Sequence, residues 1–216
     1  MKQKGLLILL VSLFIFSGCN LFNNGTKDEV CVKESTKLRS TMLAHWQDHI
    51  TYLRNFIISS LAHLEDKDAI HKRFLKNQED IGNEFKPFYG EQAGNELTRL
   101  LKEHEAIGGD IIKAAMVQNK QLVEENKAKW RANADQIAQF ISGLNPYWSM
   151  HEIKDMMYIH LDTTDGQLTS RLKKDWNGDI AAFDEGHKHM VEFANILTSG
   201  IIKQFPDKFK CYCNTK

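Results

Sequence analysis

The chain has 216 residues, 42% of them hydrophobic, with 28 basic residues set against 28 acidic ones. That balance argues against nucleic acid as a partner, because a phosphate-binding surface needs a basic excess. Three prolines, scattered glycines and few alternating β-branched runs disfavour strands and leave long helices.

Residues 1–18 carry the order of a secretory signal. Lys2 and Lys4 give a charged start, and Gly5 to Phe16 is an apolar run too short to span a membrane comfortably. Phe16-Ser17-Gly18-Cys19 follows and resembles the lipobox of bacterial lipoproteins, in which the signal is cut before a cysteine that takes lipid. The resemblance implies lipidation at Cys19 and a membrane as partner, with the protein on the outer face of the cell membrane. Several acyl chains would be needed to hold it there, since one binds marginally. An uncleaved anchor is the alternative. Residues 19–34 are expected to be the lipidated cysteine and a tether, since Asn20 to Asp28 is a polar stretch that includes Gly25.

Three more cysteines, Cys31, Cys211 and Cys213, would meet an oxidising environment after export. A bridge from Cys31 to either of the others would tie the ends of the helical region together, contributing at most about 5 kcal/mol in the loop-entropy picture. A soft-metal site built from all three is the other option. Cys-Tyr-Cys is not the spacing of structural zinc sites.

Residues 35–209 read as a helical bundle, and 210–216 as a cysteine-containing tail. The first helix is expected from about Ser35 to Leu64, on an apolar stripe of Leu43, Trp46, Ile50, Leu53, Ile57 and Leu61. Asp66 offers the next N-cap, for a helix over 69–85 that ends before Pro87. A turn at Phe88-Tyr89-Gly90 leads to a third helix over 91–117. A fourth reaches Leu144 and stops at Asn145-Pro146. Capping boxes at Ser149–Glu152 and Thr164–Gln167 predict the start of a fifth and a sixth helix, the last running to about Gln204. Short connections favour antiparallel neighbours. The expected fold is therefore all-α, an antiparallel bundle of about six helices.

An internal three-helix repeat is also suggested. Residues 97–111 and 168–183 share Leu-Thr, a leucine- and lysine-rich centre and Gly-Asp-Ile, with His104 opposite Asp175. Trp46 to His49 resembles Trp130 to Asn133, and Leu75 to Gln78 resembles Met157 to His160.

Every apolar stripe is interrupted by a polar side chain. The interruptions are His49, Asn77 and Gln78, His104, Asn126 and Asn133, His160, and Asp175 with His187. A buried amide or imidazole without a partner costs about 1–3 kcal/mol, so these groups should meet one another or a ligand. His49, His104, His160, Asp175 and His187 together form a nitrogen–oxygen donor set suited to a divalent transition metal. Asn77, Gln78 and Asn133 would support it. A closed hydrogen-bond network that sets helix register explains the same residues. Two readings follow: a protein that binds a metal ion or small polar ligand between its helices, or a structural or interaction protein of the cell envelope. An enzyme using His104 and Asp175 as a base pair is a third, and needs a pocket. No Gly-x-Ser-x-Gly, His-Glu-x-x-His, phosphate loop or dinucleotide fingerprint occurs.

Trp46-Gln-Asp-His-Ile-Thr-Tyr-Leu-Arg-Asn55, Leu75-Lys-Asn-Gln-Glu-Asp-Ile-Gly-Asn83, Asn145-Pro-Tyr-Trp148 and Gly200-Ile-Ile-Lys-Gln-Phe-Pro-Asp-Lys-Phe209 resemble a family of small exported or lipid-anchored helical proteins of Gram-positive bacteria. The resemblance covers about residues 42–209. Such proteins often carry the labels glycosyltransferase or acetylglutamate kinase. Both activities sit on α/β folds with nucleotide-binding loops, which this chain lacks. The resemblance implies export and a helical fold, and carries over no active site and no protein partner.

Overall fold

The computed structural model describes residues 27–209, with side chains from residue 34 onward. Five α-helices form a bundle: α1 (Lys27–Leu61), α2 (Lys67–Met116), α3 (Lys120–Leu144), α4 (Met150–Leu172) and α5 (Trp176–Gln204), followed by a 3-10 turn at Pro206–Lys208. Cross-helix pairs set their directions. Arg39 reaches Thr198 and Ser199, Gln47 meets His187 and Arg54 meets Asp179, so α1 and α5 run antiparallel. Arg131–Asp162 and Lys127–Asp165 show the same for α3 and α4.

The expected boundaries near residues 88–90 and 164–176 differ from those observed. The second and third expected helices form one element, α2, which doubles back at Gly90 (φ 85°, ψ 168°). Its arms, 67–89 and 91–116, pack side by side through Lys102–Glu79 and the close approach of Gly82 to Gly94. A Cβ on Gly82 would stand 2.5 Å from the Gly94 carbonyl oxygen, so the arms touch backbone to backbone.

The box at Thr164–Gln167 does not start a helix. Those residues lie inside α4, with Thr164, Gln167 and Leu168 buried. Packing of the Met157, Leu161, Leu168 face carries the helix through a local cap signal. The break falls at 173–175, where Lys174 takes φ 59° and Asp175 caps α5 by accepting from the Gly178 amide at 2.9 Å. Ser149 caps α4 as expected, accepting from the Glu152 amide. The first helix begins at Lys27 rather than near Ser35, so Cys31 lies on α1 rather than before it. Cys19, Cys211 and Cys213 lie outside the described residues.

The core is continuous from Leu38 and Met42 at one end through Ile50, Phe74 and Leu101 to Ile57 and Ile112. Phe74, Phe85 and Phe193 are its largest fully buried side chains. A partly buried clamp ties α1, α4 and α5 together: the Asp179 carboxylate accepts from both Arg54 Nη atoms at 2.7 and 2.8 Å and from Arg171 Nη1 at 2.6 Å. Among the described residues, no helix is long and apolar enough to cross a membrane.

Candidate functional site

Three of the five expected donor residues meet in the core. His49 on α1, His104 on the second arm of α2 and His160 on α4 are buried to within 3% exposure. The His49 and His160 ring centres are 5.2 Å apart, and those of His104 and His160 5.9 Å. Trp46, Phe74 and Trp130 wall them in, with Trp130 5.0 Å from His104.

The other two stand elsewhere. Asp175 is the exposed cap of α5, not a core neighbour of His104. The pairing of these two residues across a repeat is therefore not seen: one is buried in mid-helix, the other ends a turn. His187 is half-buried and lies against Gln47 at 3.4 Å. The buried positions of α5 include Asp179, Gly186, His189, Met190 and Phe193, so its inward histidine is His189, which donates to the Met156 carbonyl at 2.8 Å.

Sequence reading also passed over Glu105. It is 5% exposed, and its Oε1 stands 3.7 Å from His49 Nε2. Its signal was a second stripe, Leu101, Glu105 and Ile112, one position off the His104 stripe. This arm of α2 is covered by α1 on one side and α3 on the other, so both stripes are inward.

Burial decides the charge state here. It lowers the His49 imidazole to about 3, with His104 adding to the effect, and lowers His104 to about 4. His160 is pushed well below the usual histidine range by burial and then by its histidine neighbours. Burial alone raises the Glu105 carboxyl well above its ordinary range. His49 and Glu105 therefore meet as neutral groups and not as an ion pair.

One ring has its tautomer fixed. Asn133 Nδ2 donates to the Leu100 carbonyl, so its Oδ1 faces His104 and accepts from Nδ1–H at 2.7 Å. His104 Nε2 is left with a bare lone pair. On the other side, Gln78 Nε2 donates to the Phe74 carbonyl and Asn77 Nδ2 to the His45 carbonyl, at 2.9 Å each. Gln78 Nε2 also donates to Asn77 Oδ1 at 3.4 Å, and neither amide makes a hydrogen bond to His49. An imidazole oriented by a carbonyl behind it is the arrangement that supports metal-binding histidines.

The polar core does not close on itself. His49 Nδ1 and Nε2, His104 Nε2, and His160 Nδ1 and Nε2 make no hydrogen bond within the protein; nor do Gln78 Oε1, Thr164 Oγ1 or either amide atom of Gln167. Among the described residues, no three His, Cys, Asp or Glu side chains stand ready-arranged around a single ion. The rings would have to turn together to hold one. One turn above the histidines is a space of about 20 Å³ lined by Glu105, Gly108, Trp130 and Thr164. That is room for a water or a single ion and excludes an organic ligand at this depth.

Set beside known proteins, the chain matches no family model, and no curated protein or solved structure is significantly similar to it.

Proposed function

We propose that this is an exported, lipid-anchored helical protein that binds a divalent transition-metal ion between His49, His104 and His160. The observation that carries the reading is the set of buried ring nitrogens in one layer of the core that make no hydrogen bond to the protein. Native interiors rarely leave such groups unpartnered, and each costs about 1–3 kcal/mol. A cation would use the lone pairs of neutral imidazoles without needing a protonation change at the rings. Zinc, cobalt, nickel and copper all suit nitrogen donors. The export part rests on Lys2, Lys4, the apolar run and Cys19.

Melting the full-length chain without an affinity tag tests the binding. Zn²⁺ or Co²⁺ should raise the melting temperature and chelator should reverse the rise. No shift with any of the four ions would sink the proposal. Fatty-acid labelling that disappears in Cys19→Ala tests the anchor, and labelling that survives the substitution refutes it.

The structural reading is favoured by one chain of contacts, His104 to Asn133 to the Leu100 carbonyl, which joins α2 to α3. It predicts that removing His104 loosens the ion-free fold.

A further inference from the structure

A buried three-histidine site needs a way in. A cleft of about 650 Å³ opens between the C-terminal end of α1 and both arms of α2. Four residues, Phe56, Glu105, Gly109 and Ile112, line both this cleft and the 20 Å³ space one turn above the histidines. They form the wall between the two spaces. Glu105 is the only one of the four with a charged or polar side chain. Its carboxyl stands against His49, at 3.7 Å, and so joins this wall to the site.

Resting on the metal reading, we propose that this cleft is the entry path for a divalent cation and that Glu105 is the transfer ligand passing the ion from water to His49.

Size supports a hand-over at this point. An ion with six waters occupies about 180 Å³ at roughly 30 Å³ per water. The cleft admits it whole, while the inner space admits about one water. The ion must therefore shed its shell at the wall, and the Glu105 carboxyl, giving up its proton to water in the cleft as the cation arrives, supplies the oxygen ligand that replaces water there.

The approach suits a cation. Lys67 is paired with Asp68 at 3.5 Å and Lys113 with Asp110 at 2.9 Å, so the rim carries little net repulsion. His71 stacks on Phe56 at 4.7 Å, and burial followed by Lys113 lowers its imidazole, leaving a neutral donor in the cleft wall. The wall is thin at Gly109, where an added Cβ would meet only Phe56, at 3.9 Å.

Stopped-flow uptake of Co²⁺ by the full chain, read from the cobalt absorption band, tests the path. Gly109→Leu should plug the wall without disturbing the helix, since leucine is the better helix former. It should lower the association and dissociation rates together by at least tenfold. Glu105→Gln keeps the shape, removes the carboxylate and should slow association by at least tenfold; it decides alone if the leucine cannot be packed. Uptake by Glu105→Gln, or by a folded Gly109→Leu, within threefold of the wild-type rate overturns the path while leaving the histidine site standing. A wild-type chain that binds no Co²⁺ overturns both.

Discussion

His104 owes its orientation to one residue on another helix. Asn133 is fixed by its own bond to the Leu100 carbonyl, and it leaves Nε2 of His104 as the free end of the ring. Asn133→Leu fills the same space without the carbonyl. It should weaken Co²⁺ binding by roughly 10–100-fold in an equilibrium titration while the chain stays folded. Protonation gives a second handle at this scale. The buried histidines stay neutral where the unfolded ones, near 6.5, take up protons. Their contribution is complete above about 6.5 and is lost as pH falls towards their folded values of about 3 and 4. Glu105 has the opposite sign. Its raised folded value stabilises below the ordinary 4.5 and that contribution is lost as pH rises. In chelator, thermal melts of the wild type should therefore show stability falling below about pH 6.5. Glu105→Gln should gain on the wild type at pH 8 relative to pH 5. An equal difference at both pH values contradicts the assignment.

The elements show why some boundaries were legible and others were not. Asn145-Pro146 and Ser149 act through the local backbone, and both ends of that connection are read directly from sequence. Thr164 to Gln167 carries an equally good cap signal, yet burial of Leu161 and Leu168 holds α4 through it. No local pattern reveals that competition. Asp175 looked like a stripe residue because a continuous sixth helix places it inward; once the chain breaks at Lys174, it becomes a cap. His189 was hidden for the same reason, since the inward face of α5 follows from a start at Trp176. The double-back of α2 rests on two glycines of different kinds. Gly82→Ala drives a methyl group against Thr98 Oγ1 and the Gly94 carbonyl, whereas Gly90→Ala meets no atom but must hold φ 85°. Each should cost about 1–3 kcal/mol in urea denaturation. Gly143→Ala, in the last turn of α3 with open space around its Cβ, should stabilise by about 0.5 kcal/mol in the same denaturation.

At the scale of the whole molecule, the helical bundle and the polar layer at its centre follow from stripe patterns alone. The partners within that layer do not. Which histidines converge depends on how five helices rotate about their axes, and that brings His49, His104 and His160 together while sending His187 to the rim. Glu105 joins them because its arm of α2 is covered on two sides. The result is a core that gives up hydrogen bonds at its centre while satisfying the Asp179 clamp nearby. Such a contrast within one molecule suits a site kept for a ligand better than a general looseness of packing.

The decisive measurement is a titration of untagged full-length protein with Co²⁺, run beside His104→Leu and paired with ion-free melts of both. One ion per chain for the wild type, no binding by His104→Leu, and an ion-free variant at least as stable as the parent are the predicted results. A wild type that binds nothing, together with a destabilised His104→Leu, would show that the histidines serve only the fold.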